Sequence, residues 1–126
     1  MSSTPPLPLL IACLCAGWCG TCTAYGPLFR AVAVAHPEAR FGWIDVEDQA
    51  DALAEALGDA PEIDDFPTLI VLAAGRAVFY GPILPQASLL ERLLTEAARG
   101  ALAELRDPLA NALGTAVAGL LDAGSA

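Results

Sequence analysis

The chain predicts an α/β fold, a single mixed sheet of about four strands with helices on both faces. Three observations carry that expectation. The segments read strand, helix, strand, helix, strand, strand, helix. The first run, Leu9 to Leu14, is apolar without alternation, as a strand buried on both faces requires. The runs "TLIVLA" and "AVFYG" are joined by so short a turn that they must lie side by side and antiparallel. The first two strands are then parallel, linked by a right-handed helical crossover. With 126 residues, 56% of them hydrophobic, the chain has the apolar material for one compact core.

The elements follow in order. Prolines before and Gly17 after bound the first strand. From Gly20 to about Ala35, Tyr25, Leu28, Phe29, Val32 and Ala33 recur at three- and four-residue spacings, the period of a helix. Pro27 falls inside it, removing one backbone donor and crowding the carbonyl four residues back, so a kink is expected near Thr23 to Gly26. After "HPEAR" ends the helix, Phe41 to Val46 alternates as a strand, and Ala52, Leu53, Ala56 and Leu57 mark a short amphipathic helix closed by Gly58. In the hairpin, Gly75 supplies the positive φ a tight turn demands. Ser88 and Glu91 have capping-box spacing ahead of the face formed by Leu89, Leu90, Leu93, Leu94 and Ala97. A last helix is expected from Pro108, capped by Asp107. Its residues Leu109, Leu113, Val117, Leu120 and Leu121 come with almost no charged face, so something must cover it.

Charge narrows the partners. Six basic residues, all arginine, against fifteen acidic ones give a net charge of -9, which repels phosphate backbones and anionic lipid. Neither nucleic acid nor a membrane is expected as a partner. The acids cluster in "DVEDQADALAEALGDAPEIDD", which reads as a solvated face, with a steering patch for a basic partner as the sharper alternative. No apolar run approaches the ~20 residues of a bilayer span. The opening lacks a positive residue ahead of its apolar run, and "LIAC" would serve as a lipoprotein box only by cutting into the first strand. A cytoplasmic protein is expected, without export to the periplasm or lipidation.

Four cysteines, Cys13, Cys15, Cys19 and Cys22, crowd into ten positions. A secreted disulfide scaffold spreads its cysteines to close long loops, so these form one local site. Cys19 and Cys22 are one helical turn apart at a helix start, within the reach of a disulfide. Cys19 would lie at the N-terminus, where the macrodipole and free N–H groups favour a thiolate, and Cys22 one turn in, less exposed. Disulfide exchange needs an attacking thiolate and a second thiol to resolve the mixed disulfide, so Cys19 is assigned the attack and Cys22 the resolution. Two other readings stand beside this one. Two unreactive buried thiols are the bland reading, and a four-thiolate zinc or iron–sulfur site in "CLCAGWCGTC" is another. Cys13 and Cys15, on one face of the first strand by its period of two, read as buried free thiols, the alternative being exchange between Cys13 and Cys22. His36, the sole histidine, reads as an exposed helix end and not as a protease base, and Trp43 reads as core or edge cover.

The motif "WCGTC", with Pro27 five residues beyond, "IDVED" after the next strand and then "FPTLIVLAAGRAVFYG", resembles the thioredoxin family over about Leu9 to Ala98. The resemblance implies a thioredoxin-like fold and a thiol–disulfide oxidoreductase that reduces protein disulfides through a Cys19–Cys22 couple, with no other cofactor and no metal. It implies that Trp18, Gly20, Thr21, Phe66 and Pro67 contact substrate, that the Phe66–Pro67 bond is cis, and that Cys13 and Pro27 modulate the pair. Gly75 and Gly81 match the family's hairpin-turn and strand-end glycines. Partners would be disulfide-containing client proteins and a reductase or other electron donor.

The chain also departs from the family. Thr21 stands where proline is usual between the cysteines, Cys13 where a buried aspartate assists the resolving thiol, and Trp43 where many members have lysine or glutamate. The family's first strand and helix are missing, which leaves Phe41 to Val46 at a sheet edge. Residues 1–100 would form the thioredoxin-like domain, and residues 101–126 a helical extension packed on it or on a partner, in a monomer or homodimer. The reading from another class is a non-catalytic thioredoxin-fold binding module or assembly chaperone.

Overall fold

The computed structural model describes residues 8–16, 19–58 and 67–124. Its elements are β1 (Leu9–Cys15), α1 (Gly20–Ala35), β2 (Arg40–Asp45), α2 (Ala50–Leu57), β3 (Thr68–Ala73), β4 (Arg76–Pro82), α3 (Ala87–Ala98) and α4 (Pro108–Gly124). The strands pair in the order β2-β1-β3-β4. β1 runs parallel to β2 and antiparallel to β3, and β3 and β4 form the antiparallel hairpin. This is the mixed sheet expected, with β2 at one edge.

The pleat sorts the core into two layers. Leu9, Ile11, Cys13 and Cys15 of β1 join Leu69 and Val71 of β3 beneath α1 and α3, where Tyr25, Phe29, Leu90 and Leu94 meet them. Ala12 and Leu14 join Ile70 and Leu72 on the opposite face, under Leu53 of α2 and Ala110, Leu113 and Val117 of α4. Both strand cysteines thus face α1.

The almost uncharged α4 is covered as its composition demands, packing against α2, β3 and β4. Asp107 caps it, its Oδ1 accepting a hydrogen bond from the Leu109 amide at 2.9 Å. Two glycines allow the close approach. A Cβ at Gly42 on β2 would overlap the Leu121 side chain, and one at Gly114 on α4 would stand 2.7 Å from Leu72 Cδ2.

The turns follow the sequence with one addition. Gly58 closes α2 with a φ of 84° and Gly75 takes 83° in the hairpin. Ala74 also lies in the left-handed region, at 52°, giving positive φ at both central residues of the turn. The Ser88–Glu91 capping box does not form. α3 begins at Ala87 with Gln86 as N-cap and no side-chain cap, which puts Ser88 inside the first turn. Glu91 turns instead to the His36 ring, whose Nε2 lies 2.9 Å from Oε2. His36 is correspondingly more than an exposed helix end. It is partly buried, and its Nδ1 also lies 3.2 Å from Glu38.

Candidate active site

β1 ends at Cys15, and α1 begins at Gly20 with Cys19 as N-cap in an extended conformation. The Cys19 amide donates to the Ala16 carbonyl at 3.0 Å, and its own carbonyl accepts from the Thr23 amide at 3.2 Å. The side chain of Cys19 makes no capping hydrogen bond and stays partly exposed as a free thiol. Cys22, one turn in, is buried, while Gly20 and Thr21 between them are exposed.

Cys22 is disulfide-bonded to Cys15, their Cα atoms 5.9 Å apart, and not to Cys19. The expected Cys19–Cys22 bridge is therefore absent from this state of the molecule, and the reading of Cys15 as a free buried thiol is corrected. The physical reason lies in the strand-to-helix turn. Cys15 closes β1 on the face that α1 covers, and Cys22 is the first residue of α1 to turn fully into that face. The pairing also removes two sulfurs from any four-thiolate metal site. Sequence alone gave one signal for it, the period of two that puts Cys15 on the helix-facing side. The reach across the turn depends on the turn's geometry, which spacing does not encode.

Cys13 lies fully buried two residues back, its Sγ 3.5 Å from Cys15 Sγ. Burial pushes its thiol up to about 12, so it remains protonated across the physiological range. Tyr25 lies in the same layer, its phenol pushed up by burial first and then by the neighbouring Cys13. Its hydroxyl is buried without a hydrogen-bond partner among the described residues.

Trp43 covers the aromatic cluster, its ring centroid 5.6 Å from Phe29 and 6.4 Å from Tyr25, with part of its surface still exposed. Beside the disulfide opens a cavity of about 280 Å³, lined by Cys15, Cys22, Thr23, Arg30, Trp43 and Asp45. Spacing had pointed to neither Arg30 nor Asp45. Asp45 belongs here because β2 pairs it with Cys15.

Pro67 is buried at the entrance to β3, its carbonyl accepting from the Ile83 amide at 3.1 Å. Leu14 pairs with Thr68, which puts Pro67 level with Cys15 at the cysteine-bearing end of β1. Pro27 lies within α1, exposed. Trp18 and Phe66 lie outside the described residues, and with them the cis bond expected before Pro67.

No family model matches the chain. It is 40% identical over 77 residues to a Streptomyces coelicolor protein named "Putative thioredoxin 2", a match covering 60% of this chain and 54% of that one, so the chain spans about half the length of that curated relative. Among solved structures, a mutant thioredoxin of Halobacterium salinarum is 29% identical with a TM-score of 0.58, covering 73% of this chain and 76% of the other. Fasciola hepatica thioredoxin is 25% identical with a TM-score of 0.58, over 73% and 83% of the two chains. The likeness to a Nicotiana alata thioredoxin, at 24% identity and a TM-score of 0.59 over 72% of this chain and 74% of that one, speaks to the fold alone. Four strands in the order found, a cysteine pair at the start of the helix that follows the central strand, and these likenesses agree: the chain has the thioredoxin-like fold and is similar in sequence to thioredoxins.

Proposed function

We propose that the chain is a thiol–disulfide oxidoreductase that reduces disulfides in client proteins, with Cys19 as the attacking thiol and Cys22 as the resolving one. One observation carries the reading. Cys19 is a partly exposed free thiol at the N-cap of a 16-residue helix, while Cys22 is buried one turn in and already engaged in a disulfide. A helix N-terminus favours an anionic sulfur, and burial shields the second sulfur from outside partners. In the reaction, Cys19 thiolate attacks one client sulfur and the other client sulfur leaves as a thiolate. Cys22 thiolate then attacks Cys19 Sγ, which frees the client in reduced form and leaves the chain oxidised. An external dithiol or reductase restores the chain.

Gly20 and Thr21, both exposed beside Cys19, and Pro67, at the same end of the sheet, support a client-binding surface there, to which Trp18 and Phe66 are assigned by their places in the sequence. Cys13, protonated beneath the disulfide, modulates the pair in the place of the family's aspartate. The redox-active cysteines themselves serve as the reaction's electron carrier, without a further cofactor. We assign the protein to the cytoplasm, as a monomer or homodimer, with residues 101–126 as a helical extension of the thioredoxin-like unit. Among the described residues no helix is long and apolar enough to cross a membrane.

The test is trapping. Alkylation-quenched, non-reducing gels with a model disulfide substrate should show Cys22→Ser accumulating mixed disulfides and Cys19→Ser accumulating at least about tenfold fewer, because the attacking thiol is gone. Equal trapping would overturn the roles. Absence of adducts from both variants, with partners retained, would establish a binding module instead.

A further inference from the structure

Two cysteines flank Cys22. One helical turn N-terminal lies Cys19, partly exposed, and across the turn at the end of β1 lies Cys15, which holds Cys22 in the observed disulfide. Both partners are within a disulfide's span of Cys22. The Cys15 Cα is 5.9 Å away, and residues three apart in a first helical turn are separated by about 5–6 Å. A sulfur with two reachable partners, one of them a free thiol beside an existing disulfide, is the arrangement that thiol–disulfide exchange requires.

We propose that Cys15 is a third redox-active cysteine, so that the oxidised chain comprises two disulfide isomers, Cys15–Cys22 and Cys19–Cys22, which interconvert by exchange at Cys22 Sγ. The inference rests on the oxidoreductase reading above and extends it. In the exchange, Cys19 gives its proton to solvent and its thiolate attacks Cys22 Sγ. The Cys19–Cys22 bond forms, the Cys15–Cys22 bond breaks, and the electron pair leaves on Cys15 sulfur, which then takes up a proton. One disulfide is present before and after, so no oxidant or reductant is consumed.

The surroundings suit Cys15 as the leaving sulfur. A buried thiolate is costly unless it is hydrogen-bonded. Cys13 Sγ stands 3.5 Å from Cys15 Sγ, and because burial keeps Cys13 protonated it is placed to donate its S–H to the departing sulfur. The cavity that both bonded cysteines line brings solvent to the same point as a proton source. Cys13 is on this view a positioning residue.

The two isomers differ in what they permit. With Cys22 bonded to Cys19 the chain is an oxidised couple without a free outer thiol. With Cys22 bonded to Cys15, the outer thiol survives but its resolving partner is parked. A client disulfide attacked by Cys19 in that state stays attached until Cys22 is released.

Two double variants isolate the two bonds. Cys13→Ala/Cys19→Ala retains Cys15 and Cys22 alone, and Cys13→Ala/Cys15→Ala retains Cys19 and Cys22 alone. Each full-length chain would be reduced, oxidised with diamide, quenched in acid, and alkylated in denaturant, with free thiols counted by intact mass. In parallel, fragment-ion mapping of the oxidised wild-type chain reads both bonds directly, which keeps the test decisive if a variant fails to fold. The expected result is complete loss of both thiols as a monomer in each variant, and both bonds in the wild type. Retention of both thiols in Cys13→Ala/Cys19→Ala, or a wild type holding Cys19–Cys22 alone, would overturn the role of Cys15 and leave the oxidoreductase reading standing. Retention of both thiols in Cys13→Ala/Cys15→Ala, or a wild type holding Cys15–Cys22 alone, would overturn the exchange together with the Cys19–Cys22 couple.

Discussion

Replacing Tyr25 by phenylalanine is expected to stabilise this chain. The ring is fully buried under α1, with centroids 6.0 Å from Phe29 and 6.4 Å from Trp43, and phenylalanine keeps those contacts. What the substitution removes is a hydroxyl that no described residue hydrogen-bonds. Burying such a group unpaired costs about 1–3 kcal/mol. Against that stands the dispersion lost with one oxygen, a handful of contacts at about 0.1–0.2 kcal/mol each. The net gain is about 1 kcal/mol. At roughly 2.1 cal/mol/K of unfolding entropy per residue, a chain of this length has about 0.26 kcal/mol/K, so Tm should rise by about 4 °C. Urea and thermal unfolding of wild type and Tyr25→Phe would be compared with both proteins fully oxidised and again with both fully reduced, because the thiol layer adjoins the ring. A loss of about 1 kcal/mol or more would refute the reasoning, since it would mean that the hydroxyl has a native partner worth more than its desolvation.

Leu113→Ala, at a fully buried position where α4 meets the sheet, should cost about 3 kcal/mol, whereas Leu109→Ala on the same helix, 48% exposed, should cost less than about 1. Comparable shifts in the urea midpoint would mean that α4 does not dock by the face described. His36 is held above its ordinary value, chiefly by its hydrogen bond to Glu91 and further by Glu38. Its contribution is therefore full below the unfolded value of about 6.5 and is lost as pH rises through the higher folded value. Wild type should lose up to about 1 kcal/mol relative to His36→Gln as pH is raised from 6 to 8, and parallel stability curves for the two would refute the pairing.

Most of the fold is legible in the residues because one local cause determines each element. The unbroken apolar run at Leu9 requires a central strand, the spacing from Tyr25 to Ala33 requires a helix, and Asp107 followed by Pro108 marks a start that the Leu109 amide confirms at 2.9 Å. The failures occur where two segments compete for one group. Ser88 and Glu91 have the capping pattern, but His36, remote in sequence, takes the carboxylate. Ala74 takes a left-handed conformation that its identity does not request, because the hairpin needs two such residues and only Gly75 was supplied. The cysteine site divides along the same line. The helix-start position of Cys19 and the burial of Cys22 follow from local order. The bond from Cys22 to Cys15 depends on how a short turn folds back, which no periodicity reports.

The pairing of β1 with neighbours on both sides gives the sulfur cluster one immobile pole. Amides in a strand hydrogen-bonded to β2 and β3 exchange with solvent only through large-scale opening, whereas those in the first turn of a helix exchange through fraying. Cys13 and Cys15 are thus carried on a strand paired on both sides, and Cys19 and Cys22 on the first turn of a helix. Any rearrangement among the sulfurs must therefore be executed by α1, and deuterium uptake should record a change of disulfide at residues 19–23 while β1 stays silent.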